Sequence, residues 1–125
     1  GLDMTRRDLQ QRAKDHAHPW DLGKDFEQAA VISPIVVKDE RALLQQGAIE
    51  LSVNQSMKQS SDLSLMIWSV PELISDLSRY YRLLPGDLIY TGTPEGVGPV
   101  VPGDCLRGHI EGVGQVVANI VTPAV

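Results

Sequence analysis

Ile49-Glu50-Leu51-Ser52-Val53-Asn54-Gln55-Ser56-Met57-Lys58-Gln59-Ser60 carries the pattern on which the fold turns. Ile49, Leu51 and Val53 alternate with Glu50 and Ser52, the period-two signature of a half-buried strand. Asn54-Gln55-Ser56 is turn chemistry and Met57–Ser60 reads as the returning strand, so the segment is a β-hairpin. A second hairpin lies near the C-terminus. Cys105–Ile110 reads as a strand, Glu111-Gly112-Val113-Gly114 as a tight turn, and Gln115–Val121 as the closing strand. Upstream, Leu2–Met4 reads as a strand end. Ala29–Ile32 and Pro34–Val37 form an apolar run kinked at Ser33-Pro34, which suits a sheet edge.

Two helices interrupt the strands. Ser69 offers an N-cap with Glu72 three residues on and Pro71 early in the first turn. Val70, Leu73, Ile74, Leu77, Tyr81 and Leu84 then recur at helical spacing, which predicts one stripe packed on the core. Thr5 opens a shorter, mostly polar helix to about Ala13, and His16-Ala17-His18-Pro19-Trp20 ends it. Asp21–Gln28 reads as a loop carrying Gly23-Lys24, and Lys38–Gln46 as a polar connection. The sum is about six to eight strands with two helices, an α+β fold with a rolled or barrel-like sheet. With 125 residues, 1–125 reads as a single domain.

Composition excludes several functions. A net charge of −5 argues against a nucleic-acid or anionic-membrane surface. No apolar run approaches the ~20 residues of a membrane span. Cys105 is the single cysteine, so no internal disulfide forms and a reducing, cytoplasmic setting is expected. Aromatic residues are 5% of the chain, which leaves the core to Val, Ile and Leu.

Pro85-Gly86-Asp87-Leu88-Ile89-Tyr90-Thr91-Gly92-Thr93-Pro94-Glu95-Gly96-Val97-Gly98 is the stretch most suggestive of chemistry. A Pro-Gly-Asp turn leads into Leu88-Ile89-Tyr90, read as a buried strand, and then into a glycine-rich loop. Its glycines let bare backbone approach a partner, and the Thr91 and Thr93 hydroxyls with free N–H groups could hold a carboxylate or phosphate.

Together with Leu2-Asp3-Met4-Thr5-Arg6-Arg7-Asp8-Leu9-Gln10, Pro19-Trp20 and Gly23-Lys24-Asp25-Phe26, that stretch resembles the fumarylacetoacetate hydrolase family along nearly the whole chain. The narrower resemblance is to its acylpyruvate or fumarylpyruvate hydrolase branch. The resemblance implies a mixed β-roll with a site at its mouth, and Mg²⁺ or Mn²⁺ held by three carboxylates. Asp3 matches one of these; the other two belong to an upstream Glu-x-Glu strand that has no counterpart here. Lys24 matches a lysine that orients substrate and offsets negative charge. Gln10 and Thr93 match substrate-binding positions, and Arg7 an arginine read as scaffolding at the substrate site. The implied reaction is hydrolysis of a C–C bond in a 2,4-diketo acid through a pyruvate enolate, a step of aromatic catabolism. A lid helix with a His–Glu pair that activates water also has no counterpart.

The chain therefore reads as the C-terminal part of a longer, homodimeric enzyme, inactive without its N-terminal half. Glu27 and Val31 depart from the residues commonest in close relatives. Two alternatives follow from the same resemblance: an isomerase, tautomerase or decarboxylase of oxaloacetate-like or 2-hydroxymuconate-type acids, and a non-catalytic domain that keeps the fold. His16, His18 and His109 complete no metal pattern and read as surface residues, and Cys105 as a small core residue.

Overall fold

The computed structural model describes residues 1–37 and 44–122. The main sheet has four strands. They are β3 (Ala48–Val53), β4 (Ser56–Asp62), β5 (Cys105–Ile110) and β6 (Gly114–Asn119). Their spatial order is β4-β3-β5-β6. A second, two-stranded sheet pairs β1 (Leu2–Asp3) with β2 (Ala30–Val31). Among the described residues three α-helices complete the α+β architecture: α1 (Arg7–Asp15), α2 (Asp21–Lys24) and α3 (Val70–Leu77). Every ladder is antiparallel and no barrel closes among the described residues. The sheet there is thus antiparallel rather than mixed, and it does not close into a barrel. The β3–β4 and β5–β6 hairpins supply antiparallel neighbours, β3 and β5 pair antiparallel across the long connection between the hairpins, and β4 and β6 lie at opposite edges.

Both predicted hairpins form. Asn54 and Gln55 adopt φ of 49° and 68°, the left-handed pair that a two-residue hairpin turn requires. Leu51 faces Gln59 but Ser52 faces Met57, so Lys58 is the extra residue of a β-bulge. On one face, Ile49, Leu51 and Val53 lie beside Ile110, Gly108 and Leu106 of β5. Leu106 is the most buried residue of that face, at 3% exposure.

Gly108 has a specific reason to be glycine. A Cβ there would stand 3.0 Å from Val116 Cγ1 and 3.1 Å from Leu2 Cδ2. Its absence lets Leu2 lie on the sheet, where Leu2, Leu106 and Val116 form the buried cluster. Burial of Leu2 fixes β1, and with it the next residue, Asp3. β1 has its partner within the chain, with Leu2 opposite Val31 and Asp3 opposite Ala30.

Other elements depart from the sequence reading. Asp21–Lys24 is a helical turn rather than loop, which brings the α-helices to three rather than two. Leu88-Ile89-Tyr90 joins no ladder, and Leu88 is 53% exposed. That apolar run finds no strand edge to pair with among the described residues. α3 starts where Ser69 predicts, with a complete capping box. It stops at Leu77, not near Leu84. The Ser78 hydroxyl donates to the Ile74 carbonyl at 2.7 Å, and the Tyr80 and Tyr81 N–H groups both turn back onto Leu77. Val70, Leu73 and Leu77 are half-buried, whereas Ile74, Tyr81 and Leu84 are exposed, so the stripe is only partly covered. Part of the predicted Lys38–Gln46 connection lies outside the described residues.

Candidate functional site

α1 and α2 meet through glycine. Gly23 is buried, and a Cβ on it would stand 3.0 Å from the Gln10 nitrogen and 3.2 Å from the Arg6 carbonyl oxygen. The Arg6 N–H donates to the Gly23 carbonyl at 3.0 Å. This close approach sets the next residue, Lys24, against β1. Its ammonium donates to both Asp3 carboxylate oxygens at 2.7 Å and to the Thr5 hydroxyl at 3.0 Å. Thr5 does not cap α1. The N-cap is Arg6 and no side chain closes that end, because the Thr5 hydroxyl is turned to Lys24 instead.

The pair is open to solvent, with Lys24 and Asp3 side chains 33% and 38% exposed. Screened pairs of this kind add only about 0–1 kcal/mol to stability. Its significance is chemical: a carboxylate is held facing a cation at the rim of a cleft. The cleft has a volume of about 990 Å³. Asp3, Thr5, Arg7, Thr93 and Gln59 line it, beside an aliphatic floor that includes Leu51 and Leu106. Lys24 and Gln10 do not line it themselves; each reaches it through a neighbour.

That neighbour for Gln10 is Arg7, whose Nη1 donates to Gln10 Oε1 at 2.7 Å. Gln10 is 5% exposed, so the bond fixes a buried amide with its oxygen toward Arg7 and its NH₂ donors turned elsewhere. Arg6, beside it, stacks its guanidinium 4.4 Å from the Phe26 ring centre and braces the loop after Lys24.

Tyr90 does not line the cleft but ties the segment before the Thr93 loop to β2. Its hydroxyl donates to the Val31 carbonyl at 3.1 Å. Burial, and secondly the negative charge of Asp3, hold the phenol above its ordinary pKa.

The loop bearing Thr93 is fastened from the sheet. Gln59, 8% exposed, donates from Nε2 to the Pro94 carbonyl at 2.6 Å and also faces the Glu95 carbonyl at 3.4 Å. A Cβ on Gly96 would overlap the Lys58 carbonyl oxygen at the bulge, and Gly96 has φ of +97°. Neither Gln59 nor Thr5 stood out in the sequence. One sits in an ordinary alternating strand and the other resembles a helix cap.

The structure therefore unites Asp3, Lys24 and Thr5, pairs Arg7 with Gln10, and puts Thr93 on the wall of the same cleft. Among the described residues no three His, Cys, Asp or Glu side chains converge as a metal site. His16 and His18 lie near each other, with ring centres 5.6 Å apart, and are exposed together with His109. Cys105 is half-buried at the start of β5. No helix of the described residues is long and apolar enough to cross a membrane.

Residues 1–121 match the fumarylacetoacetate (FAA) hydrolase C-terminal family, and the chain belongs to it. Among its relatives is a fumarylpyruvate hydrolase from a Ralstonia species, 57% identical over 93% of this chain and 60% of its own length. The crystal structure of fumarylpyruvate hydrolase from Pseudomonas aeruginosa in complex with Mn²⁺ and pyruvate superposes with a TM-score of 0.92. It is 44% identical and is matched over 97% of this chain and 52% of that one. The mitochondrial oxaloacetate tautomerase of Schizosaccharomyces pombe is 39% identical over 88% of this chain and 50% of its own length. The chain thus spans half to three fifths of the length of these relatives.

Proposed function

We propose that this chain forms the C-terminal part of the catalytic domain of an enzyme that hydrolyses a C–C bond in a 2,4-diketo acid of the acylpyruvate or fumarylpyruvate type. The observation that carries the reading is the Lys24 ammonium seated on both oxygens of Asp3 at the rim of a cleft also lined by Thr93. Its support from outside the chain is the 57% identity to a fumarylpyruvate hydrolase.

In this reading Asp3 is one ligand of Mg²⁺ or Mn²⁺. The described residues do not make a metal centre by themselves; in this reading the other two carboxylates are the Glu-x-Glu pair of an upstream segment of the complete protein. Hard divalent cations take several oxygen ligands, and one carboxylate does not displace their hydration. The reaction adds water to the acyl carbonyl and breaks the bond between that carbon and the methylene. The electron pair goes to the pyruvate fragment as its enolate, which takes a proton at carbon. Lys24 supplies positive charge as the enolate develops. Thr93 donates to the keto acid's carboxylate from the cleft wall, and Gln10, buried behind it, acts on the substrate through Arg7, which lines the cleft. The base for the attacking water is assigned to no residue of this chain. A cytoplasmic homodimer is the assembly that goes with this reading.

A second reading is favoured by the 39% identity to an oxaloacetate tautomerase. There the same residues would hold an enol–keto acid during proton transfer, with no water added. Following fumarylpyruvate loss and oxaloacetate enol–keto exchange side by side in the complete protein separates the two. In the hydrolase, Lys24→Met is expected to lower kcat by about 10²–10³-fold with a KM change under about tenfold. Asp3→Asn is expected to abolish Mn²⁺-dependent turnover. Full activity of Asp3→Asn with Mn²⁺ present refutes the site. Calorimetric titration with millimolar Mn²⁺ tests the non-catalytic alternative, which predicts no heat.

A further inference from the structure

We propose that Gln59 is a positioning residue: from the β4 bulge it latches the 93–96 loop and so sets where Thr93 stands in the cleft. The inference rests on the reading that Thr93 binds the keto acid. Three independent features meet at the latch. Lys58 is the unpaired residue of the bulge, and the bulge turns its carbonyl against Gly96. Gln59, directly after it, is buried although polar, and its amide donates to the Pro94 carbonyl at 2.6 Å. Gly96 is the residue whose missing side chain permits the contact, in a left-handed conformation that an L side chain rarely adopts.

No hydrogen bond from the described residues other than Gln59 reaches the carbonyls of Pro94 and Glu95. A loop of Thr-Gly-Thr-Pro-Glu-Gly without such a tie would sample many conformations, and Thr93 would be correctly placed in few of them. Binding would then carry the entropy of ordering the loop, which weakens affinity rather than the chemical step. The signature of the latch is therefore a rise in KM with kcat nearly retained.

The test compares Gln59→Met, which keeps the length but removes the donor, with Gly96→Ala, which attacks the same contact from the loop. If the buried methionine prevents folding, Gln59→Asn, which keeps an amide but is one methylene short of the Pro94 carbonyl, takes its place. The first readout is cleavage after Glu95 by a glutamate-specific protease, mapped by mass. It is expected to quicken at least tenfold in either variant, while cleavage after Glu111 in the β5–β6 turn is unchanged. The second is KM for fumarylpyruvate in the complete protein, expected to rise at least tenfold with kcat within threefold. Unchanged cleavage after Glu95 overturns the latch. Thr93→Val run alongside identifies which premise failed. If it raises KM but the latch variants do not, the positioning role is wrong and the site reading stands. If none of them changes KM, the substrate role of Thr93 is wrong, and the positioning proposal falls with it.

Discussion

Replacing Gly108 by alanine tests how the buried cluster holds Asp3 in place. The new methyl would stand 3.0 Å from Val116 Cγ1 and 3.1 Å from Leu2 Cδ2. Comfortable carbon–carbon separations are about 3.5–4.0 Å, so each contact is short by roughly half an ångström or more. Val116 is stiff at χ1 and sits in a six-residue strand, whereas Leu2 lies in a strand of two. Leu2 is therefore the side that gives. Overpacking of this kind costs about 1–3 kcal/mol. Against it stands a gain of about 0.4–1 kcal/mol from the lower entropy of the unfolded chain, because Gly108 lacks the positive φ that would strain alanine. The net expectation is a loss of roughly 0.5–2 kcal/mol, or a melting temperature lower by about 3–6 °C for each kcal/mol. Urea and thermal unfolding of Gly108→Ala, Leu2→Ala and the double variant measure it. In the Leu2→Ala background, alanine at 108 should cost about 0.5–1 kcal/mol less, with the Val116 contact still standing. An equal cost in both backgrounds, or a net stabilisation of the wild type, refutes the close approach as the reason for glycine.

The remaining predictions concern ionisable groups. Bonds from the Ser69 side chain and then its N–H hold the Glu72 carboxyl below its ordinary value of 4.5. Its contribution to α3 is thus present above that value and lost as pH falls through the lowered one. Glu72→Gln should remove this acid-side component, read as a flatter pH dependence of helical circular dichroism between pH 5 and 2, approximately the range over which carboxylates titrate; an unaltered profile contradicts it. Tyr90 has the opposite sign. Its pKa is raised by burial and then by Asp3, so its contribution is complete below the ordinary value of 10.0 and is lost as pH rises through the raised one. Tyr90→Phe should remove that alkaline loss and, by deleting the bond to Val31, cost about 0.5–1 kcal/mol at neutral pH. Identical alkaline unfolding curves would dismiss the Tyr90 contribution.

Local rules made much of the fold legible. The hairpin read from Ile49 to Ser60 appears as Ala48–Val53 and Ser56–Asp62, because period-two alternation and turn chemistry act over neighbouring residues. The start of α3 was equally clear, since Ser69 and Glu72 close a capping box within three residues. Its end was not. Tyr81 and Leu84 keep the helical period, but the Ser78 hydroxyl and the turn after Leu77 decide the matter through hydrogen bonds that periodicity does not encode. Leu88-Ile89-Tyr90 has the composition of a strand, yet a strand also needs an edge to pair with. Asp3, Lys24 and Thr93 were identified through family motifs, not through any spacing that could have announced their proximity.

The chain by itself determined an acidic α+β domain built on hairpins, the family it belongs to, and the residue types that gather at the cleft. Those follow from interactions short in sequence and from motifs whose order survives without coordinates. Only the tertiary structure decided that the Lys24 ammonium rests on Asp3, that Gly108 makes room for Leu2, and that Gln59 grips the Thr93 loop. Each of these joins residues 21 to 106 positions apart, or 35 in the latch. Contacts of that reach are set by packing and strand register, and a register error of one residue would turn the strand residues among them, such as Leu2, Asp3 and Gln59, to the other face.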